Sequence, residues 1–213
     1  FIHKDLTVTP SEEIATLFGE SNIKILVGCA PCQAFSQYSK NKKTNDKWKL
    51  LYSFSRIIRD TNPEIVSMEN VPNLLRYNNG EVFNDFLSTL NECGYHVSYG
   101  VVNAMNYGVP QRRKRLILFA SKFGEIKIIE PTHINNPVTV RQAISHLPKI
   151  KDGTSHKSDK LHKARELSDL NKKRIRATPE GGGWKDWPEE LLLECHKKNS
   201  GKTFGSVYGR MKW

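Results

Sequence analysis

Residues 24–36 read KILVGCAPCQAFS, an apolar run that ends at a cysteine between a proline and a glutamine. The segment from Ile23 to Val27 is short, rich in β-branched residues and followed by Gly28, so it predicts a buried strand. Pro31 stops the strand from continuing and prevents a helix from starting, which places Cys32 on a loop at the carboxyl end of the strand. Ligands bind at that edge in open α/β sheets, so a thiol there is placed for chemistry.

Three interpretations of Cys32 are open from this stretch alone. A buried structural cysteine is the simplest of them. Cys29 and Cys32 also form a C-x-x-C with an Ala-Pro centre, which is similar to a thioredoxin active site. Cys93 and His96 have C-x-x-H spacing, so the four side chains would match a zinc site.

The segments that follow the cysteine repeat a strand and helix pattern. Apolar positions from Leu50 to Ile58 have helical spacing, and Asn62-Pro63 ends that helix. Residues 64–68 predict a second buried strand, which stops at Glu69. A strand, helix, strand unit with a right-handed crossover makes its strands parallel, so Cys32 and Glu69 are expected at the same edge of one sheet.

The α/β pattern continues to about residue 121. A helix is predicted from about Val82 to Cys93 with Gly94 as its left-handed stop, followed by strands over 95–102 and 115–120. Because Cys93 falls in the last turn of that helix, away from the Cys32 edge, the zinc interpretation is weakened and no metal is expected. Four consecutive cations at positions 112–115 enter the last strand, and they repel one another unless an anion is bound.

Residues upstream of the first strand predict less structure. Residues 3–6 have the pattern of the end of a strand. Ser11 is expected to cap a short helix whose apolar face contains Ile14, Leu17 and Phe18.

Charge divides the chain into unequal halves. Residues 1–110 contain 10 Lys+Arg and 11 Asp+Glu, whereas residues 111–213 contain 23 and 11, and the net charge of +11 therefore comes from the second half. Such a surplus predicts a polyanionic partner, with nucleic acid favoured over a membrane. No apolar run approaches the roughly 18 residues that span a bilayer and no signal peptide opens the chain, so a soluble protein without membrane association is expected.

Three ordered motifs resemble the cytosine-5 DNA methyltransferase family. They are Pro31-Cys32-Gln33 with Phe35-Ser36, then Glu69-Asn70-Val71, then residues 111–115 (QRRKR) leading into a strand. The resemblance implies a partial Rossmann-like, S-adenosylmethionine-dependent methyltransferase sheet over residues 1–130. A small, irregular and basic target-recognition domain would occupy residues 131–213. The α/β fold class agrees with the pattern of predicted elements.

Catalytic roles follow from the resemblance, residue by residue. Cys32 matches the nucleophile that attacks carbon 6 of cytosine, and Glu69 matches the carboxylate that holds and protonates the base. Arg113 and Arg115 match the arginines around the base and its phosphate. The thioredoxin interpretation explains neither Glu69 nor these arginines, and Cys29 is then expected to be a small buried strand residue.

Binding residues are implied in the same way. The expected DNA contacts come from Gln33 and Ser36 at the root of the polar loop over 36–48, from Arg112, and from Arg210 in a glycine- and aromatic-rich segment. Contacts with S-adenosylmethionine are expected from Asp5, Leu50 and Pro31. The implied partners are double-stranded DNA and a cognate restriction endonuclease system, and the implied location is the cytoplasm of a bacterium, with the nucleoid.

Two alternatives to this function stay open. An RNA-directed member of the family would use the same chemistry, although its usual Cys-Phe-Thr tripeptide is not found here. A catalytically silent DNA-binding relative would have no use for Cys32, Glu69 and Arg115 together. Because no Gly-x-Gly turn precedes Cys32, we also expect these 213 residues to be an excerpt of a longer enzyme. By themselves they are expected to bind the cofactor weakly or not at all and to transfer no methyl group.

Overall fold

A computed structural model of the chain describes residues 1–31, 46–197 and 209–212. The chain divides into two compact units, Phe1–Val138 and Thr139–Trp213, and each is described below by itself. The functions assigned above to residues 1–130 and 131–213 remain predictions. Among the described residues, no helix is both long and apolar enough to cross a membrane.

A four-stranded sheet forms the centre of the first unit. Its strands in chain order are β1 (Ile25–Gly28), β2 (Ile65–Asn70), β3 (His96–Asn103) and β4 (Lys114–Ser121). The spatial order is β1-β2-β4-β3. β1 and β2 are parallel, and β4 is antiparallel to both of its neighbours. The positions of the four predicted strands and the parallel pair are therefore confirmed, with shifts of one or two residues at their ends. The predicted burial of β1 is wrong, because it is an edge strand of the described sheet and Ile25 and Val27 are exposed.

The helices of this unit are α1 (Ser11–Thr16), α2 (Leu50–Thr61) and α3 (Glu81–Glu92), with 3-10 turns at Asp46–Lys49, Pro72–Gly80 and Ala104–Tyr107. α2 ends at Asn62, whose φ of 45° is left-handed, directly before Pro63. The turn after α3 contains Gly94 with φ of 78°, as its position in the sequence predicted.

The core lies where α2 and α3 pack on one face of the sheet. Alternate residues of the central strands point toward these helices, because strand side chains have a period of two. Burying each large apolar side chain contributes about 1.5–3 kcal/mol to stability. The most completely buried members are Leu51, Ile58, Val66, Met68, Leu74, Phe86, Leu90, Leu116, Leu118 and Ala120.

Two expectations for the start of the chain are wrong. Residues 1–5 form no strand, and Asp5 instead begins a turn that its side chain stabilises by accepting from the Thr7 N–H at 2.9 Å. Ser11 is the first residue of α1 and does not cap it. Its buried hydroxyl donates to Asp60 Oδ2 at 2.6 Å and accepts from Arg56 at 2.7 Å, so contacts with α2 take the place of a cap.

The second unit contains three short helices, α4 (Val140–Ile144), α5 (Asp169–Ala177) and α6 (Glu194–Lys197), with 3-10 turns at Trp184–Asp186 and Glu189–Leu191. α4 begins with a capping box between Thr139 and Gln142. α5 was not expected. Its amino acids are mostly polar, so it gives no apolar pattern in the sequence.

A buried arginine organises the second unit. Arg174 lies under the ring of Trp187, with its guanidinium carbon 5.4 Å from the ring centre, and its Nε donates to the Leu191 carbonyl at 3.0 Å. The Trp187 indole donates to Thr178 Oγ1 at 2.7 Å, and that hydroxyl donates to the Arg174 carbonyl. Hydrogen bonds to a buried cation replace much of the apolar packing found in the first unit.

Gly28 permits close contact between β1 and α2. A Cβ added there would lie 2.4 Å from Cζ of Phe54, a distance that carbon atoms do not tolerate. The backbone of Gly28 is not left-handed, so crowding alone requires glycine at this position.

Gly28→Ala should therefore lower the free energy of unfolding by about 1–3 kcal/mol, the usual cost of overpacking. Urea denaturation of the full chain measures this. The cost should shrink in a Phe54→Leu background, where the ring is gone. Equal costs in the two backgrounds would mean that the contact with Phe54 does not exclude the methyl group.

Candidate functional site

Parallel pairing of β1 and β2 brings two loop segments together at one edge of the sheet. Gly28, the last residue of β1, lies opposite Met68, and β2 continues through Glu69 and Asn70. The segment after β1 begins with Cys29 and Ala30 and therefore runs beside those two residues. This edge is the carboxyl end of both strands, where the sequence predicted a site.

Glu69 receives a donor on each oxygen of its carboxylate. Arg115 Nε lies 2.6 Å from Glu69 Oε1, and the Cys29 thiol donates to Oε2 at 3.2 Å. Arg115 reaches Glu69 because β4 runs antiparallel to β2, with Ile117 opposite Glu69. Side chains alternate along β4, so Arg115 and Ile117 are on the same face of the sheet.

The Glu69–Arg115 pair is partly open to solvent, with side chains 37% and 21% exposed. A charge-assisted hydrogen bond of this length fixes the carboxylate in one orientation. Because the Glu69 side chain is partly exposed, a ligand can still reach its carboxylate. The pair forms an oriented polar group at the sheet edge, able to bind a ring that offers both donors and acceptors.

The side chain of Asn70, at the end of β2, bonds to the segment that follows β1. It is 1% exposed, and its Nδ2 donates to the Ala30 carbonyl at 3.1 Å while its Oδ1 accepts from the Val71 N–H at 2.8 Å. Ala30 lies two positions before Cys32 in the sequence. Asn70 therefore fixes the backbone that leads into the predicted nucleophile loop.

The other residues of the expected nucleophile and DNA set are placed as follows. Cys32, Gln33 and Ser36 lie outside the described residues, and Pro31 is exposed immediately before them. Arg112 and Arg113 are exposed, and within the described part of the chain their side chains form no ion pair with Glu69 or any other acid. Of the four expected catalytic residues, the structure brings together Glu69 and Arg115.

Asp5 and Leu50, the expected cofactor contacts, are on elements that pack together. Thr7 donates to Asp5 from its N–H and its hydroxyl, and these bonds lower the pKa of the exposed Asp5 carboxyl, so that it is ionised near neutral pH. Leu50 is half-buried at the first position of α2. Arg56, also on α2, donates to the carbonyls of Leu6 and Thr9, which ties the Asp5 turn to this helix.

Arg210 belongs to the second unit and is engaged there. Its guanidinium donates to the Thr178 carbonyl at 3.2 Å and lies 3.6 Å from the Glu180 carboxylate, and its backbone pairs with Gly181 and Gly182. These contacts hold the segment at 209–212 against Thr178 and residues 180–182 of the same unit. Contact between Arg210 and DNA remains a prediction.

Cys29 corrects one expectation from the sequence. It was expected to be a buried strand residue, but β1 ends at Gly28, and Cys29 is exposed with its thiol on Glu69. Asn70 was not singled out either. Its position directly after Glu69, at the end of a buried strand, was the signal that could have identified it.

Substitution of Asn70 by Asp should disturb the nucleophile loop. The change removes the donor to Ala30 and buries a carboxylate oxygen against a carbonyl, which costs about 1–3 kcal/mol or more. Urea denaturation and methyl-transfer assays measure stability and function separately. Asn91→Asp, on the exposed surface of α3, is the matched control and should change neither quantity. Identical behaviour of the two variants would remove this role of Asn70.

Two curated proteins are similar in sequence to this chain. The chain is 52% identical over 214 residues to the Type II methylase M.HgiDII of Herpetosiphon aurantiacus, covering 100% of this chain and 60% of that protein. It is 30% identical over 194 residues to the Type II methyltransferase M1.HphI of Haemophilus parahaemolyticus, covering 89% and 52%. The chain thus spans between half and two thirds of the length of these curated relatives.

A solved structure supports the fold. It is a proposed DNA modification methyltransferase encoded within an E. coli prophage, with a TM-score of 0.58 and 23% identity over 81% of this chain and 50% of that one. The family model described as C-5 cytosine-specific DNA methylase matches residues 2–213. Since that match spans nearly the whole sequence, the chain belongs to the C-5 cytosine-specific DNA methylase family.

Proposed function

We propose that the protein transfers a methyl group from S-adenosylmethionine to carbon 5 of cytosine in duplex DNA, through a covalent adduct with Cys32. The observation that carries this proposal is the 2.6 Å pair between Glu69 and Arg115, beside the segment that leads to Cys32. Membership of the methylase family supports it.

The chemistry explains why a thiol and a carboxylate are needed at one edge. Carbon 5 of cytosine is a poor nucleophile, so the Cys32 thiolate first adds to carbon 6 and the electrons of the 5,6 double bond move onto carbon 5 and the ring. A free thiol has a pKa near 8.5, so the proposed reaction requires a cation close to Cys32 to favour its thiolate form. Glu69, in its protonated form, binds the Watson–Crick edge and gives its proton to ring N3, which neutralises the charge that the attack produces, and it takes that proton back when the adduct breaks down.

Arg115 orients Glu69 for this proton transfer. Its Nε fixes one carboxylate oxygen and its Nη1 donates to the Lys114 carbonyl at 2.8 Å, so Nη2 is the proposed donor to O2 of a bound base. After methylation, loss of the carbon-5 proton to a base returns electrons to the ring. The 5,6 double bond then forms again, and the sulfur of Cys32 leaves as thiolate.

The residues expected to hold S-adenosylmethionine fit such a group. Asp5 is an ionised carboxylate whose Oδ1 is used by Thr7, so Oδ2 is available for the amino group of an adenine. Leu50 offers an apolar surface for the ring, and Pro31 precedes the nucleophile loop. When bound, S-adenosylmethionine supplies an electrophilic methyl group at carbon 5.

Duplex DNA is the proposed substrate, and its target base has to leave the helix. Carbon 6 cannot be reached in a stacked pair, and rotating the base out costs a few kcal/mol. The basic second half supplies attraction for phosphates, with Arg112, Arg113 and Arg210 as proposed contacts. Gln33 and Ser36 are proposed contacts from the first half of the chain. Because two of the relatives are named Type II enzymes, we also propose a cognate restriction endonuclease and a location in a bacterial cytoplasm.

A mechanism-based trap tests the covalent step. Duplex oligonucleotides that contain 5-fluorocytosine in place of cytosine, with S-adenosylmethionine and the full-length enzyme, should form an adduct that survives denaturation, because carbon 5 then has no proton to lose. Cys32→Ala should abolish the adduct. Cys29→Ala is the control and should still form the adduct, because the Cys29 thiol is a hydrogen-bond donor to Glu69 and is not the proposed nucleophile. Loss of the adduct in the Cys29 variant with retention in the Cys32 variant would reverse the assignment.

Exchange of residues 131–213 for the same region of M1.HphI should change the sequence that is methylated. Specificity depends on base edges in the grooves, and we assign their recognition to this region. Bisulfite sequencing of cellular DNA measures the outcome. An active hybrid that methylates the original sequence would place recognition elsewhere.

A further inference from the structure

We propose that a hairpin in the second unit, residues 154–164, binds duplex DNA with its lysines on phosphates and Leu161 against base edges in a groove. This inference rests on the proposed function. It names the part of the second unit that makes the contact.

Backbone hydrogen bonds hold the two arms of the hairpin together. Ser155 and Lys163 form an antiparallel bridge, and the Ala164 N–H donates to the Thr154 carbonyl at 2.9 Å. The His156 N–H donates to the His162 carbonyl at 2.8 Å. The arms therefore have a defined register.

The tip is fixed as well. Asp159 Oδ1 accepts from the N–H groups of Leu161 at 2.9 Å and His162 at 3.3 Å. The His162 Nε2 forms a hydrogen bond of 2.7 Å with the Pro148 carbonyl, which anchors one arm to the preceding segment. The tip is thus ordered before any partner binds, so binding loses little conformational entropy.

Cations on this hairpin are not neutralised. Lys157, Lys160 and Lys163 are exposed, and among the described residues none of the three forms an ion pair. The nearby Asp152 is occupied by Lys172 at 2.9 Å, and Asp159 is occupied by the backbone of the tip. Lysines held close together without acids repel one another, and phosphates relieve that repulsion.

Leu161 is 90% exposed, more than any other large apolar side chain in the described part of the second unit. It lies between Lys160 and His162, so a polyanion drawn to the lysines meets the leucine at the same time. Apolar side chains contact base edges such as the thymine methyl group in the major groove, and burying Leu161 there removes apolar surface from water. An acidic protein surface would satisfy the lysines and leave Leu161 in water, whereas a duplex satisfies both.

A salt titration tests the lysines. The Kd of the full chain for a fluorescent 30-base-pair duplex is measured by anisotropy at several salt concentrations. The plot of log Kd against the logarithm of the salt concentration has a slope to which each phosphate contact contributes about 0.9. The double variant Lys157→Ala with Lys160→Ala should therefore lower that slope by about 1.8. The control removes the same charge with Lys127→Ala and Lys173→Ala, at exposed positions outside the hairpin, and should keep the wild-type slope. Equal slopes for the two double variants would overturn the proposal.

Photo-crosslinking tests the position of Leu161. Benzoylphenylalanine introduced at position 161 should give a covalent product with the duplex under ultraviolet light. The same group at Leu170, which is 46% exposed on α5, is the control and should give little product. Crosslinking that is equal at the two positions would overturn the contact. Duplex RNA that binds equally well, with the same loss in the lysine variant, would overturn the choice of DNA.

The 5-fluorocytosine trap separates this inference from the proposed function. Suppose that the hairpin variants have the same Kd and the same salt dependence as their controls, in a chain that still forms the adduct. That result would refute the contact between the hairpin and DNA and leave the proposed function intact. Wild-type binding that does not respond to salt, together with no adduct, would refute the proposed function.

Discussion

Pairing of β2 with a parallel strand on one side and an antiparallel strand on the other determines where the functional groups meet. The parallel ladder with β1 places Cys29 beside Glu69, and the antiparallel ladder with β4 places Arg115 on the other oxygen of the same carboxylate. These ladders are stable because α2 and α3 bury one face of the sheet. A one-residue slip in either ladder would turn the side chains to the opposite face and separate the group.

Local signals in the sequence were sufficient for most of the first unit. Apolar runs predicted the four strands, helical spacing predicted α2 and α3, and Asn62-Pro63 and Gly94 marked their ends. The shared edge of Cys32 and Glu69 followed from the handedness of the crossover, and the described end of β1 agrees with it. The placement of Arg115 on Glu69 did not follow, since strand order within a sheet is not encoded locally.

Sequence patterns revealed less of the second unit, for a physical reason. Its centre is a cation beneath an indole ring, held by hydrogen bonds from Arg174 and Trp187, so hydrophobic periodicity had little to detect. α5 does carry the usual end signals, with Ser168 as its cap, Asp169 in its first turn and Arg176 in its last. Greater weight on those signals would have predicted the helix. The contact between Cys29 and Glu69 was missed because a C-x-x-C pattern directs attention to the second cysteine.

The two donors on Glu69 differ greatly in strength. Arg115 provides a charged N–H, whereas the Cys29 thiol is a weak donor. In the proposed reaction an incoming base displaces the Cys29 thiol and not Arg115, because breaking the weaker hydrogen bond costs less free energy. The amino group of cytosine can take its place on the carboxylate oxygen. Uracil presents a carbonyl oxygen at that position, which leaves two acceptors facing each other without a hydrogen. Displacement of the weak thiol donor is therefore favourable for cytosine, which supplies a new donor, and unfavourable for uracil, which supplies none.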